Sequence, residues 1–432
     1  MILALILTFV VGYTLITLEH PLRINKTATA LITGVVCWAV YALAATESHE
    51  VGEQLTEHLG HTAEILFFLL GAMTVVELID AHDGFTLITD RIASRNTRTL
   101  FWIVGGLTFF LSALLDNLTT AIVMVSVARK LVRDNEQRRL MAGLIIIAAN
   151  AGGAWSPIGD VTTTMLWIGG QITTVNIITT VFLPSLVALL VPLLVLTLRT
   201  PTGATAFVAS PDEAGVSRPY VDATARRDRR LMLAIGLGGM LFVPIFKAFT
   251  GLPPYMGMML VLGVIWVASE LIHSDKDDAD KEPFTPAYAL SKIDAPSILF
   301  FLGILLAVGS LEATGVLRSL AESLDAAVGN LDLIVVLIGL VSAVVDNVPI
   351  VAAAMGMYEL STFPADAKLW AFLAYCAGTG GSILVIGSAA GVAVMGMENL
   401  DFGWYFRKIS GLALLGYLAG ALTYLAIFAL LH

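Results

Sequence analysis

Ser112-Ala-Leu-Leu-Asp-Asn-Leu-Thr-Thr120 and Ser342-Ala-Val-Val-Asp-Asn-Val-Pro349 decide how this chain reads. Each sets an Asp-Asn pair near the middle of a long apolar run, Phe101 to Ala128 in one case and Leu331 to Met357 in the other. An acid in the centre of an apolar run is expensive in hydrocarbon, and an interrupted helix at membrane depth is tolerated only where protein or a cavity surrounds it. Both runs are expected to turn at the pair, each half being too short to cross a membrane alone. Working outward, two more echoes flank them. Ile65-Leu-Phe-Phe-Leu-Leu-Gly71 matches Ile298-Leu-Phe-Phe-Leu-Gly303, and Gly152-Gly153-Ala-Trp-Ser-Pro-Ile-Gly159 matches Gly380-Gly381-Ser-Ile-Leu-Val-Ile-Gly387. Gly153 follows Asp116 by 37 positions and Gly381 follows Asp346 by 35, so the order and the spacing repeat together.

Composition supplies the setting. Of the 432 residues 57% are hydrophobic and 13% charged, and the mean hydropathy is +0.85, too little polar surface for a soluble protein of this length. The apolar runs are mostly long enough to span a bilayer as helix, and the alternating segments of a membrane barrel are absent. The net charge of −10 arises largely in loops such as Glu47 to Glu57 and Asp275 to Glu282, and no basic footprint for nucleic acid is visible. Cys37 and Cys376 lie in apolar or glycine-rich surroundings and read as packing residues. Met1 to Leu18 lacks a basic start and a small-residue cleavage site, so it is expected to be a retained span.

Loop charges set the expected topology. Arg91, Arg95 and Arg98 precede the first interrupted run, and Arg129, Lys130, Arg133, Arg138 and Arg139 follow it, so both its ends are expected in the cytoplasm. The second is flanked by Glu322, Asp325, Asp332, Glu359 and Asp366, and is expected to enter from outside. With the other ten runs as crossings, Arg23, Lys26, Arg226 to Arg230, Arg407 and Lys408 fall inside, Glu47 to Glu57 outside, and both termini outside. Five crossings per copy is an odd number, so the copies are inserted upside down relative to one another. The expected fold is an all-α membrane protein of two inverted repeats, each with five transmembrane crossings, a re-entrant helical hairpin and a broken helix, the design of secondary transporters. Residues 1–198 form the first repeat, with the hairpin at about 100–133 and the broken helix at about 140–169. Residues 199–229 read as a cytoplasmic linker, and 230–432 as the second repeat, with its hairpin at about 332–358 and broken helix at about 368–397. Residues 273–295 read as a second solvated linker.

Asp116, Asp160 and Asp346 occupy the interruptions, and no Lys or Arg lies within 100–128, 140–198, 332–367 or 369–406 to pair with them. Their expected partners are mobile ones, metal cations or protons. Hard-oxygen side chains surround them: Ser112, Asn117, Thr119 and Thr120; Ser342 and Asn347; Asn150, Ser156, Thr162 and Thr163; Thr379, Ser382 and Ser388. A carboxylate that binds a cation when ionised cannot do so when protonated, so proton and cation compete for one site. The residues therefore point to a transporter, not an enzyme, that exchanges a small cation for protons and has no cofactor beyond its cargo. His82 reads as a lone interfacial histidine and Lys247 as a snorkelling lysine.

These stretches, with Asn150-Ala-Gly-Gly-Ala-Trp-Ser-Pro-Ile-Gly-Asp160 and Val161-Thr-Thr-Thr164, resemble the NhaD-type sodium/proton antiporters of the ion-transporter superfamily. The resemblance implies Na⁺ or Li⁺ exchanged for H⁺ in a bacterial inner membrane, by a homodimer in which hairpins and broken helices move against a scaffold. By motif match it carries ion-binding roles to Ser112, Asp116, Asn117, Thr119, Asn150, Asp160, Thr162, Thr163, Ser342, Asp346 and Asn347, and less directly to Ser382 and Ser388. Two rivals are an anion carrier of the same superfamily for dicarboxylate, citrate or arsenite, which three unpartnered aspartates would repel, and an intramembrane aspartyl protease. The second would need facing aspartates on continuous spans and leaves the repeat unexplained.

Overall fold

The computed structural model describes residues 1–45, 48–89, 92, 94, 96–132, 134–200 and 226–431. Glu47, Arg91, Arg95, Arg133 and most of the expected linker at 199–229 lie outside them. The first half of the chain forms α1 (Ile2–Thr17), α2 (Glu19–Leu22), α3 (Lys26–Ala44), α4 (Ser48–Ala81), α5 (Thr86–Thr89), α6 (Thr97–Leu115), α7 (Asn117–Leu131), α8 (Asn135–Gly153), α9 (Val161–Ile168) and α10 (Thr174–Arg199). The second forms α11 (Arg226–Thr250), α12 (Pro254–Ile272), α13 (Asp278–Lys281), α14 (Pro286–Lys292), α15 (Ala295–Ala313) and α16 (Val316–Val328), then α17 (Leu331–Val341), α18 (Asn347–Met357), α19 (Lys368–Gly380), α20 (Ala389–Glu398), α21 (Phe402–Tyr405) and α22 (Gly411–Leu431). No β-strand occurs among the described residues.

Eight helices among these residues are long and apolar enough to cross a membrane, nine if the bent pair α16–α17 counts as one span. They are α3, α4 from His49 onward, α6, α10, α11, α12, α15 and the stretch Phe402–Leu430. The protein is thus an all-helical, multi-span membrane protein. Several sequence expectations need correction. α6 has 19 residues, about 28 Å of helix, so this half of the first interrupted run is not too short to cross. The acidic stretch before residue 62 is not a loop; α4 runs unbroken for 34 residues from Ser48. Residues 273–295 are not a free linker either. Ser269 Oγ donates to the Phe284 carbonyl, Phe284 and Ala289 are buried, and α14 packs along α4. The amphipathic α16, whose Leu317 and Ala321 face inward, turns 114° into α17.

Helix–helix packing repeats between the halves. α6 lies on α8 as α17 lies on α19, α7 on α8 as α18 on α19, and α10 on α8 as α22 on α19. The halves also interleave: α7 rests on α20, α9 on α18, and α10 on α22. Around them α1, α3, α4, α11, α12 and α15 pack largely on one another, meeting the first group through contacts such as α15 with α18 and α4 with α9.

Candidate functional site

Four helix starts meet at the interruptions, and each is capped by a residue singled out in the sequence. Asp116 accepts from Thr119 N–H at 2.8 Å and caps α7; Asp160 accepts from Thr162 N–H at 3.0 Å and caps α9. Asp346 accepts from Val348 N–H at 3.2 Å to cap α18, and Ser388 from Gly391 N–H at 3.2 Å to cap α20. Helix N-termini carry partial positive charge, so each carboxylate is stabilised where it sits. Asp116 holds φ 78°, a left-handed backbone that L side chains rarely adopt. This sharp reversal lets α6 end and α7 begin within one residue.

Glycines bring the breaks together. A Cβ at Gly152 would stand 2.2 Å from the Phe109 carbonyl oxygen, and one at Gly380 would stand 2.1 Å from that of Gly339. Gly159 and Gly387 touch the Ser112 and Ala343 carbonyls in the same way. Ser112 Oγ donates to the Ala149 carbonyl at 2.6 Å and Ser342 Oγ to that of Ala377 at 3.1 Å. These contacts fasten each interrupted run to its own broken helix, with matching residues in both halves except that Gly387 meets Ala343 where Gly159 meets Ser112.

At the centre, Asp160 is the acceptor shared by both halves. Its Oδ2 receives Asn117 Nδ2 at 2.9 Å and Asn347 Nδ2 at 3.4 Å. Asn117 Nδ2 also donates to Asn150 Oδ1 at 3.0 Å, and Asn150 Nδ2 to Ser388 Oγ at 3.0 Å. Asp160 and Asp116 both line a void of about 20 Å³, closed by Phe68, Met73, Met240 and Met258 among others. That is room for about one water or one dehydrated cation. Thr119 Oγ1 donates to Asp116 Oδ2 at 2.8 Å, and Thr163 Oγ1 to the Asp160 carbonyl at 2.9 Å. Thr120 Oγ1 and Thr162 Oγ1 are buried with no hydrogen-bond partner among the described residues. Thr379 instead bonds the Tyr375 carbonyl within α19, Ser382 donates back to the Thr379 carbonyl at that helix's end, and Ser156 accepts from Ile158 N–H.

Asp346 does not line that void, and the expectation that no base meets the aspartates fails for it. Lys26 Nζ, from the start of α3, lies 3.7 Å from Asp346 Oδ2. Among the described residues no ion pair reaches Asp116 or Asp160, and no three His, Cys, Asp or Glu side chains cluster as a metal site. Lys247 does not snorkel outward: its Nζ donates to the Trp167 carbonyl at 2.7 Å and sits 4.6 Å from that ring's centroid. His82 is neither lone nor exposed, its Nε2 being 3.0 Å from His273 Nε2 in a buried stacked pair. Sequence reading also missed Glu398, buried between Arg129 (2.5 Å) and Arg138 (2.7 Å), which clamps the ends of α7, α8 and α20. No local motif announces that clamp.

A multi-span helical protein with paired, capped helix breaks around buried carboxylates belongs to the class of membrane carriers, and comparison narrows the class. The family described as "Citrate transporter" matches residues 13–374. The chain is 51% identical to "Sodium/proton antiporter 1" of Arabidopsis thaliana, over 98% of this chain and 72% of that protein. It is 49% identical to "Sodium/proton antiporter 2" of the same plant, over 98% of both. It is 34% identical to "Na(+)/H(+) antiporter NhaD" of Vibrio cholerae, over 98% of this chain and 91% of that protein. The chain belongs to this family, as an NhaD-type member.

Proposed function

We propose that this protein exchanges Na⁺ or Li⁺ for H⁺ by alternating access, with cation and proton competing at Asp116 and Asp160. The observation that carries the reading is the shared void. Two capped carboxylates, with no basic partner among the described residues, line a space of single-ion size with Thr164 beside them and apolar side chains closing the rest. The site takes its ligands from Asp116, Asp160, Thr119, Thr162, Thr163, Asn117 and Asn150, with Ser112, Ser342, Asn347, Ser382 and Ser388 holding the surrounding backbone and amides in place. Coupling follows because a bare dianionic pair is too costly to move through the membrane, whereas a loaded or protonated pair is not.

The matched packing of α6–α8 with α17–α19, and the matched glycine contacts, support two inverted repeats whose interrupted runs are re-entrant hairpins. Sidedness fits the same reading. The Arg129, Arg138 and Lys408 ends gather around Glu398 and Glu136 on one side, while Asp366 accepts from Thr173 N–H at 2.7 Å, joining the starts of α10 and α19 on the other. We place the basic side in the cytoplasm and both termini outside, and read α1, α3, α4, α11, α12 and α15 as a scaffold, dimeric in the membrane, against which the remainder moves. A bacterial plasma membrane suits the Vibrio likeness, while two of the relatives are plant proteins.

The family description raises an anion such as citrate as the second reading. Helix N-termini are where an anion would dock. Three of the four here are filled by the protein's own carboxylates, so a citrate would meet negative charge. The test uses liposomes with an acid interior, following internal pH on adding Na⁺, Li⁺, K⁺ or citrate. Alkalinisation by Na⁺ or Li⁺ that disappears in Asp116→Asn supports exchange. Uptake of citrate with no response to alkali cations would establish the anion reading instead.

A further inference from the structure

The two halves match in fold but differ in what faces their first aspartate. Asp116 spends both carboxylate oxygens on Thr119, taking its N–H on Oδ1 and its hydroxyl on Oδ2. Counting from the Asp-Asn pairs, Pro349 stands where Thr119 does, and a proline has neither donor. Asp346 therefore caps α18 through Oδ1 alone, and its Oδ2 turns to Lys26 Nζ. The neighbouring helices differ in step. α12 and α3 both precede the helix that carries the repeated Ile-Leu-Phe-Phe stretch and are equally long at 19 residues. α12 presents the apolar Met258 to the void beside Asp116, whereas α3 presents an ammonium to Asp346.

That ammonium is held in place. Asn25 caps α3, the Lys26 N–H donates to Glu19 Oε1 at 3.1 Å, and Thr27 Oγ1 donates to the Pro296 carbonyl at 3.0 Å. Lys26 Nζ also lies 4.7 Å from the centre of the Phe300 ring on α15. The Lys26 and Asp346 side chains are 25% and 17% exposed, so the pair is only partly screened by solvent.

We propose that Lys26 is a tethered cation occupying, in the second half, the place that the transported cation takes in the first. Asp346 then answers to Lys26 and is not a ligand of the cargo, one alkali cation is carried per cycle, and the pair joins the scaffold helix α3 to the moving α18. Lys26 is a positioning residue whose salt bridge opens when the two units shift. This rests on the exchange reading above.

The test reconstitutes wild type, Lys26→Met, Lys26→Arg, Asp346→Asn and the double Lys26→Met/Asp346→Asn, and measures Na⁺-driven proton flux against Na⁺ concentration. Lys26→Met leaves an uncompensated carboxylate and is expected to slow maximal flux about tenfold, with half-saturating Na⁺ within about twofold of wild type. Lys26→Arg keeps most of the flux. The double variant, with neither charge, recovers at least about threefold over Lys26→Met. The proposal is overturned if the double variant is no faster than Lys26→Met. It is equally overturned if Asp346→Asn raises half-saturating Na⁺ about tenfold, as loss of a ligand would. Should Lys26→Met fail to yield monodisperse protein, the Asp346→Asn saturation curve decides alone. Absence of Na⁺-driven flux in the wild type would overturn the exchange reading, and the pairing with it.

Discussion

Replacing Asp160 by Asn changes one atom and reverses a hydrogen-bond relay. The new side chain can keep an oxygen on the Thr162 N–H, but its Nδ2 then faces the Asn117 and Asn347 amide nitrogens at 2.9 and 3.4 Å, donor against donor. Turning the Asn117 amide offers an oxygen to residue 160, yet sets it against Asn150 Oδ1, so Asn150 must turn too and Ser388 must swing its hydroxyl to donate. Even after that concerted turn, Asn347 still points a donor at a donor. The carboxylate's charge-assisted bonds, worth about 1.5–3 kcal/mol each, give way to neutral ones of about 1 kcal/mol, and one buried donor is left over at about 1–3 kcal/mol. The net cost is about 2–7 kcal/mol, or about 2–7 °C in melting temperature for a chain of this size.

Asp116→Asn provides the contrast. Both Asp116 oxygens face Thr119, whose N–H is satisfied by the amide oxygen and whose hydroxyl can turn to accept from the amide nitrogen. Its melting temperature is expected within about 1 °C of wild type. Both variants lose Na⁺-driven flux. Thermal unfolding in detergent, followed by tryptophan fluorescence, separates them. Equal melting temperatures for Asp160→Asn and Asp116→Asn would refute the relay. The relay also bears on transport, since a proton on Asp160 Oδ2 makes that oxygen a donor and demands the same reversal, tying protonation to side chains from both halves.

Gly152→Ala and Gly380→Ala each drive a Cβ to about van der Waals overlap with a fixed carbonyl, so both are expected to abolish flux and lower yield. Gly106→Ala, with open space around its Cβ, should fall within about 0.5 kcal/mol of wild type in the same melts. Glu398→Gln leaves Arg129 and Arg138 facing each other across the clamp; with both arginines partly solvated the loss is about 1–3 kcal/mol, read as a lower melting temperature that added salt partly restores. Burial holds the His82 imidazole below its ordinary range and pushes His273 from 6.5 down to about 4. Folded-state values below the unfolded ones mean that the unfolded chain binds more protons, so this contribution is complete above pH 6.5 and is lost as pH falls towards about 4. His273→Gln, which retains a donor towards His82, is expected to flatten the fall in melting temperature between about pH 7 and pH 5 relative to wild type.

What could be read from the sequence was what chemistry makes local. An Asp-Asn pair inside an apolar run and a Gly-Gly break mark themselves, and Asp116, Asp160, Asn117 and Asn150 do meet. The Lys26–Asp346 pair could not be read, because it joins ends of the chain whose proximity depends on how α3 crosses α15 and α18. His82 and His273 were unreadable for the same reason: each looks like an isolated polar residue at a helix end until Phe284 folds over both. Residues 48–61 looked like loop because their charges mask a helix that continues into an apolar span, and α6 looked too short because its polar start, Thr97 to Thr99, was left out of the apolar run.

Competition between cation and proton at the two aspartates is tested most directly by adding Na⁺ to purified protein in weakly buffered solution and measuring the protons released. Release is expected in the wild type that saturates with Na⁺, fails to occur with citrate, and vanishes in Asp116→Asn and Asp160→Asn. Protein that transports yet releases no proton on binding Na⁺ at any pH from about 5 to about 9, or that releases as much when both aspartates are replaced, would contradict it.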